Sequence, residues 1–267
     1  MPRTASLAVL LALTLIVAGC AEAPRKSTDP SGARIERVDK EFDLAPSIRR
    51  VAIDNPWGEI NIRGRDEREV GIHAVIQRLP PRFDEAQMRS HRDGDTLRIE
   101  VVLPAGGTTG RADLAVYVPN DIALALTTRD GRIAAKRRAG AIEARTDSGE
   151  IHASSMDRLN LYSRTGQIRA IAIGKHWQGE SEVSTESGPI VLLVPTFGDV
   201  ALDARTGGKL STGFGLSVHP RAEGGHEAHA RYGAGTSILR ARSTNGEIVL
   251  EQLVLLGDDK ELPEDDD

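Results

Sequence analysis

The sequence predicts an all-β protein whose strands stack as a single-stranded parallel β-solenoid, a β-helix-like column with rungs of about 17–22 residues. Three observations predict it: a recurring turn phrase, apolar residues phased at period two to that turn, and a shortage of aromatic side chains. A β-sandwich is the alternative, because a repeated turn also closes two-strand hairpin units.

The phrase occurs as Asn55-Pro-Trp-Gly-Glu-Ile, Arg129-Asp-Gly-Arg-Ile, Thr146-Asp-Ser-Gly-Glu-Ile, Ser163-Arg-Thr-Gly-Gln-Ile, Thr185-Glu-Ser-Gly-Pro-Ile and Ser243-Thr-Asn-Gly-Glu-Ile, with a looser copy at Arg205-Thr-Gly-Gly-Lys-Leu. Its turn glycines are Gly58, Gly131, Gly149, Gly166, Gly188, Gly207 and Gly246. From Gly131 onward the steps are 18, 17, 22, 19 and 39 residues, and the 73 residues from Gly58 to Gly131 read as about four steps. Glycine is expected at these corners to supply a positive φ.

Counting from each glycine tests the strands. A period-two strand places apolar residues at odd offsets before the corner and even offsets after it. Ile142 and Ala144 precede Gly149 in this way, and Ile151 and Ala153 follow it; Leu159, Leu161, Ile168 and Ala170 do the same around Gly166. Val183 breaks the upstream pattern, with Ser181 as its second partner. Three residues before the glycine stand Asn55, Thr128, Thr146, Ser163, Thr185 or Ser243, short polar groups suited to bonding backbone at a tight corner. Two Trp, three Tyr and four Phe in 267 residues fit a narrow interior of stacked aliphatic slots.

The segments outside this pattern divide the chain. Residues 1–19 have a positive start, an apolar run from Leu7 to Val17 and small residues leading into Cys20, the features of a signal peptide. The run is shorter than the roughly 20 residues a membrane span needs. Residues 20–45 read as a flexible tether, 46–256 as the folded domain and 257–267 as an acidic, solvated tail. Within the domain, 70–119 departs from the repeat and reads as a capping or flanking part, with strand-like runs and a short helix around Phe83–Ser90.

Val17-Ala18-Gly19-Cys20 resembles the lipobox of bacterial lipoproteins. The resemblance implies cleavage before Cys20, acylation of its thiol and a membrane anchored through the acyl chains; Ala21 leans toward the outer membrane, facing the periplasm, with surface exposure the other option. Val51-Ala-Ile-Asp-Asn-Pro-Trp-Gly-Glu-Ile, Leu97-Arg-Ile-Glu-Val-Val-Leu-Pro-Ala-Gly and the iterated Thr-x-Ser-Gly-Glu-Ile phrase together resemble a bacterial family of adhesin-like β-solenoid proteins of unknown function. That likeness covers about residues 47–255 and implies a non-catalytic envelope protein.

Candidate chemistry is sparse. Arg129, Asp147, Arg164, Glu186 and Arg205, each two residues before a glycine, alternate in sign and would form a charge ladder if rungs stack in order. Glu59, Glu150 and Glu247 share the position after the glycine, interrupted by Arg132, Gln167 and Pro189, so no carboxylate pair for acid and base work emerges. His219, His226 and His229 are the metal-ligand candidates, but His226 and His229 miss the four-residue spacing of a zincin helix and Gly224-Gly225 favour a loop. Trp57 and Trp177 are either exposed contacts for a glycan or protein partner or, the preferred reading, side chains folded over the column.

The expectation is a lipid-anchored envelope scaffold or binding module, not an enzyme, with no cofactor. A polysaccharide-acting solenoid enzyme and a metal-responsive periplasmic module are the competing classes. A net charge of −5 gives no basic face for nucleic acid, and a protein or glycan partner stays open.

Overall fold

The computed structural model describes residues 27–28, 32–78, 87–103 and 110–254. Cys20, the signal-peptide segment and the acidic tail lie outside the described residues.

Alternation of apolar and polar residues turns one face of each strand inward, and 22 strands form with no helix among the described residues. The first eight are β1 (Ser27–Thr28), β2 (Arg34–Asp43), β3 (Arg50–Asp54), β4 (Ile60–Arg65), β5 (Glu69–Arg78), β6 (Gln87–Asp93), β7 (Thr96–Val102) and β8 (Gly110–Pro119). The middle of the chain supplies β9 (Ala123–Thr127), β10 (Ile133–Arg138), β11 (Ile142–Thr146), β12 (Ile151–Ser155), β13 (Leu159–Ser163), β14 (Ile168–Ala172), β15 (Glu180–Thr185) and β16 (Ile190–Pro195). The rest are β17 (Val200–Thr206), β18 (Leu210–Thr212), β19 (His219–Pro220), β20 (His226–Arg231), β21 (Ser237–Ser243) and β22 (Ile248–Leu253).

They form two eleven-stranded sheets, mostly parallel. Each turn phrase carries the chain from a strand of the second sheet to a strand of the first, so β9/β10, β11/β12, β13/β14 and β15/β16 make successive rungs. Ile133, Ile151, Ile168, Ile190 and Ile248 lie in direct register along the first sheet, all fully buried. Leu124, Ile142 and Leu159 do the same in the second. Ser181, the exception in the pattern, is buried and accepts the Leu159 amide at 3.1 Å.

Rungs do not stack in sequence order at either end. β3/β4 lies between β7/β8 and β9/β10, and β21/β22 lies between β15/β16 and β17/β18. The long intervals hold this threading. The 73-residue step contains the outermost rung together with β5 and β6, which run antiparallel to β8 and β7. The 39-residue step contains the β19/β20 hairpin, laid antiparallel on β17. Gly58 and Gly131 are therefore neighbours rather than four steps apart.

Two further expectations change here. Residues 34–43, read as tether, form a ten-residue strand paired along its length with β5. Its alternation is nearly all polar, because only one face meets the column, and Val38 and Phe42 supply the apolar contact. Gln87–Ser90, read as helix, lie in β6, where pairing with β7 overrides local helical tendency.

The glycines have a different reason from the one expected. Among the turn glycines only Gly58 and Gly131 have φ between +20° and +160°. Instead, a Cβ on Gly131, Gly149, Gly166, Gly188 or Gly246 would lie closer than 3.0 Å to the carbonyl oxygen of the glycine on the adjacent rung, at Gly58, Gly131, Gly149, Gly166 and Gly188 in turn. In the looser copy it is Gly208, not Gly207, that approaches Gly246. The corner hydroxyls complete the column. Thr146, Ser163, Thr185 and Ser243 each accept the amide of the glycine three residues on, at 2.7–3.0 Å. Ser163 also donates to the Gly149 carbonyl at 3.1 Å and Thr206 to the Gly246 carbonyl at 2.6 Å.

Gly149→Ala is expected to lower unfolding free energy in urea by about 2–4 kcal/mol, since backbone rather than a mobile side chain opposes the methyl. Gly213→Ala, whose Cβ meets nothing closer than 3.8 Å, is the control and should change it by less than about 1 kcal/mol. Thr146→Val keeps the shape but strands the buried Gly149 amide, for a loss of about 1–3 kcal/mol in the same measurement.

Candidate functional site

The outward faces carry whatever this chain presents to a partner. On the first sheet the position after each glycine forms a row running Glu59, Arg132, Glu150, Gln167, Pro189, Glu247 and Lys209, tied rung to rung through main-chain bonds. Arg132 Nε approaches Glu59 at 3.6 Å and Lys209 Nζ approaches Glu247 at 3.0 Å. The alternating ion row is here, one residue after the glycine.

The ladder expected two residues before the glycine is only partly assembled. Arg129, Asp147, Arg164 and Glu186 do follow one another along the corner through backbone hydrogen bonds. Thr244 comes next, because β21/β22 is inserted, so Arg205 is not beside Glu186. Among the described residues no side-chain ion pair joins the four. Arg129 sits over the Trp57 ring at 6.0 Å, and Glu186 accepts the Tyr162 hydroxyl at 3.0 Å, which pushes that phenol up. Arg205 reaches Asp203 at 3.1 Å and Glu227 at 3.5 Å instead.

Those two carboxylates also hold one of the candidate metal ligands. His229 lies 3.4 Å from Asp203 and 3.6 Å from Glu227 on the outer face of β20. His226, three residues earlier, falls on the opposite face of the same strand, and its Nδ1 is 2.8 Å from the Gly208 carbonyl. His219 is exposed on β19, opposite Glu227. Strand alternation thus separates His226 from His219 and His229, and among the described residues no group of three His, Cys, Asp or Glu side chains is placed to hold a metal. Burial raises the Asp203 carboxyl, but the Arg242 hydrogen bond and the charges of Arg242, Arg205 and His229 bring it below the usual value.

A carboxylate pair does exist where the sequence reading found none. Asp54 and Glu100 are direct partners across β3 and β7. Partial desolvation and then Glu100 push the Asp54 carboxyl up, against Arg129. The pair came from a rung built with β7, a neighbour that sequence order does not reveal. Trp177 is buried, its amide and carbonyl both bonded to Ser237 Oγ at 2.9 Å, so it closes the long corner between β14 and β15 rather than offering a contact.

A concave feature lies on the outer face of the first sheet. A groove of about 440 Å³ crosses β4, β10, β12, β14, β16 and β22. Ile171, Ile173, Leu193, Leu253 and Val254 supply apolar lining, and Arg63, Arg132, Lys136, Arg137 and Arg169 supply positive charge; among the described residues no acidic side chain lines it. An adjoining depression of about 400 Å³ shares Leu253 and Val254 and adds Lys175 and the exposed Phe197. Neither is lined by Asp54 or Glu100.

A β-bulge builds the cationic edge. The register between β10 and β12 slips between Ala135 and Arg138, and Arg137 takes φ +56° with its amide donated to Ser154 Oγ at 2.7 Å. Lys136 and Arg137 both line the groove as a result, and Arg138 turns inward. Its fully buried guanidinium donates to the Val118 carbonyl at 3.0 Å, to Asn120 Oδ1 at 3.1 Å and to the Pro119 carbonyl. Burial pushes it down to about 10, with Asp121 opposing, so it stays charged at neutral pH. The signal for this site was the run Lys136-Arg137-Arg138, which period two alone assigns to alternate faces.

The groove's potential is registered by His152, which pairs with Ala134 and Arg169 across β12. Burial holds its imidazole below the ordinary 6.5, and Arg132 adds to this, with Lys136 and Arg169, against Glu150.

The comparisons with known proteins bear on the fold. A putative cell adhesion protein from Clostridium sporogenes superposes with a TM-score of 0.52 at 13% identity, over 81% of this chain and 100% of that one. A putative adhesin from Bacteroides fragilis matches with a TM-score of 0.33 at 10% identity over 81% of this chain and 97% of its own. One from Parabacteroides distasonis matches with a TM-score of 0.32 at 9% identity over the same shares. No family model and no curated protein matches the sequence. The chain has the fold of the Clostridium protein.

A group whose folded value is depressed below 6.5 favours its neutral form in the folded state, so the unfolded chain binds more protons below that pH. Stability from His152 is therefore present above about pH 6.5 and lost as pH falls toward its lower folded value. Urea midpoints measured from pH 7.5 to 5.5 should fall less steeply for His152→Gln than for the wild type.

Proposed function

We propose that the chain is a non-catalytic, lipid-anchored cell-envelope protein: a β-solenoid that acts as an adhesin-like scaffold or binding module. One observation carries the reading. The only face that is both concave and strongly charged among the grooves described is an apolar floor rimmed by five cations, a surface for holding an anionic partner and not for transferring a proton. Stacked two-strand rungs with flat outer faces suit a scaffold, as each rung buries its apolar face only against its neighbours.

The anchor is Cys20, acylated and held in the outer membrane with the folded domain in the periplasm. The names of the structurally similar proteins agree with an adhesive role, at the level of fold. The carboxylate pair at Asp54 and Glu100 is the nearest the chain comes to the polysaccharide-acting alternative, and it stands outside both grooves.

Expression with labelled palmitate tests the anchor: wild type should incorporate label and sediment with membranes, whereas Cys20→Ala should lose both. Incorporation unchanged in the variant sinks the anchor. Crosslinking in intact envelopes tests the groove, since a partner captured by wild type should be lost from the Arg137→Glu/Arg169→Glu double variant. Equal capture would place binding elsewhere.

A further inference from the structure

Leu253 and Val254, the last described residues, line the groove, and Val254 is 63% exposed at the point where groove and adjoining depression meet. The thirteen residues that follow, 255–267, carry Asp258, Asp259, Glu261, Glu264, Asp265, Asp266 and Asp267 against a single Lys260, with Leu255, Leu256 and Leu262 as apolar side chains. The groove has the complementary inventory: Arg63, Arg132, Lys136, Arg137 and Arg169 around Ile171, Ile173 and Leu193. We propose that the chain's own acidic segment 255–267 docks in this groove and occupies the binding face.

The reach is sufficient. From β22 to β4 the groove crosses five strand spacings of ~4.8 Å, roughly 24 Å. Thirteen residues span up to about 43 Å when extended. Docked in this way, Leu255 and Leu256 would extend the apolar floor beyond Val254, and the seven carboxylates would face Lys136, Arg137 and Arg63. Because the segment is tethered at the groove's edge, its effective concentration there is on the order of millimolar, enough to hold a weak electrostatic contact closed. A partner must then be more anionic than the tail, or bind beside it, and the contact weakens with salt.

The inference rests on the reading of this groove as the binding face, and the test separates the two. NMR titration of His152 in the full chain, in a chain ending at Val254 and in a full-length chain with the seven tail acids changed to Asn or Gln reads the charge at the groove. The acidic tail should raise the His152 pKa, so both altered chains should titrate lower than wild type, with the difference vanishing in 0.5 M salt. Carbodiimide coupling should join tail carboxylates to Lys136 in the full chain, and Arg137→Glu/Arg169→Glu should reduce that yield several-fold. Identical His152 titrations, or coupling spread evenly over Lys136, Lys175 and Lys209, overturn the proposal. If phosphatidylglycerol vesicles bind the full and the shortened chain equally, the groove is a lipid-binding face open in both, and the tail proposal falls while the binding reading stands.

Discussion

Main-chain contact at the corners is the constraint on which the rest depends. From Gly58 through Gly188, and at Gly246 against Gly208, the carbonyl oxygen of the corner glycine occupies the space where the glycine of the next rung would carry a side chain. Parallel strands about 4.8 Å apart leave no slack at a corner that also turns from one sheet to the other, so the residue there has no Cβ. The hydroxyl three residues upstream follows from the same closeness. The corner amide is buried, and only a short side chain on the inner face reaches it. Once the corners are set, the strands on both sides fall into register, and the stacked Ile, Leu, Val and Ala need only be of similar size. Large rings do not fit a repeated slot of this width; Trp177, the one aromatic residue in the buried core among those described, sits at a corner that is five residues longer than its neighbour's.

A stack of parallel rungs has two open ends, each an invitation to pair with another chain. The two ends share a device, although beyond β18 the first sheet adds no strand among the described residues. The chain lays down an outer rung, adds antiparallel strands beyond it, and places the adjoining inner rung at a distant point of the sequence: β3/β4 before the cap at one end, β21/β22 after it at the other. Neither terminal cap can peel away without also disturbing a rung inside the stack. The price is non-local pairing, since β15 must wait for β21 and β3 for β9, which slows folding relative to a stack laid down in order.

The repeat was legible because one geometry recurs, and the inward residues of β9 to β16 read directly from their distance to the glycine. What the sequence could not display was adjacency between elements far apart in the chain. The charge ladder illustrates this: Arg129 to Glu186 are consecutive both in sequence and in space, whereas Arg205 is displaced by one inserted rung and finds Asp203 and Glu227. Asp54 and Glu100 meet for the same reason. The histidines failed differently. His226 and His229 were judged against helical spacing in a loop, but β20 is a strand, where an odd separation sends side chains to opposite faces.

The groove depends on the place where the strand repeat is broken by a bulge in β10. With regular alternation Lys136 would face out and Arg137 in, burying a charge among aliphatic neighbours. The bulge inserts one residue, so that two cations share the outer face while Arg138 takes the inner slot, where three oxygen acceptors from the Val118–Asn120 corner meet it. That arrangement couples structure and surface. The buried guanidinium secures the corner between β8 and β9 to β10, and the same extra residue that brings it there gives the groove its charge. Removing the bulge to restore the repeat would therefore strip the rim and leave the corner carbonyls without their donor, which ties the cationic groove to the integrity of the stack beneath it.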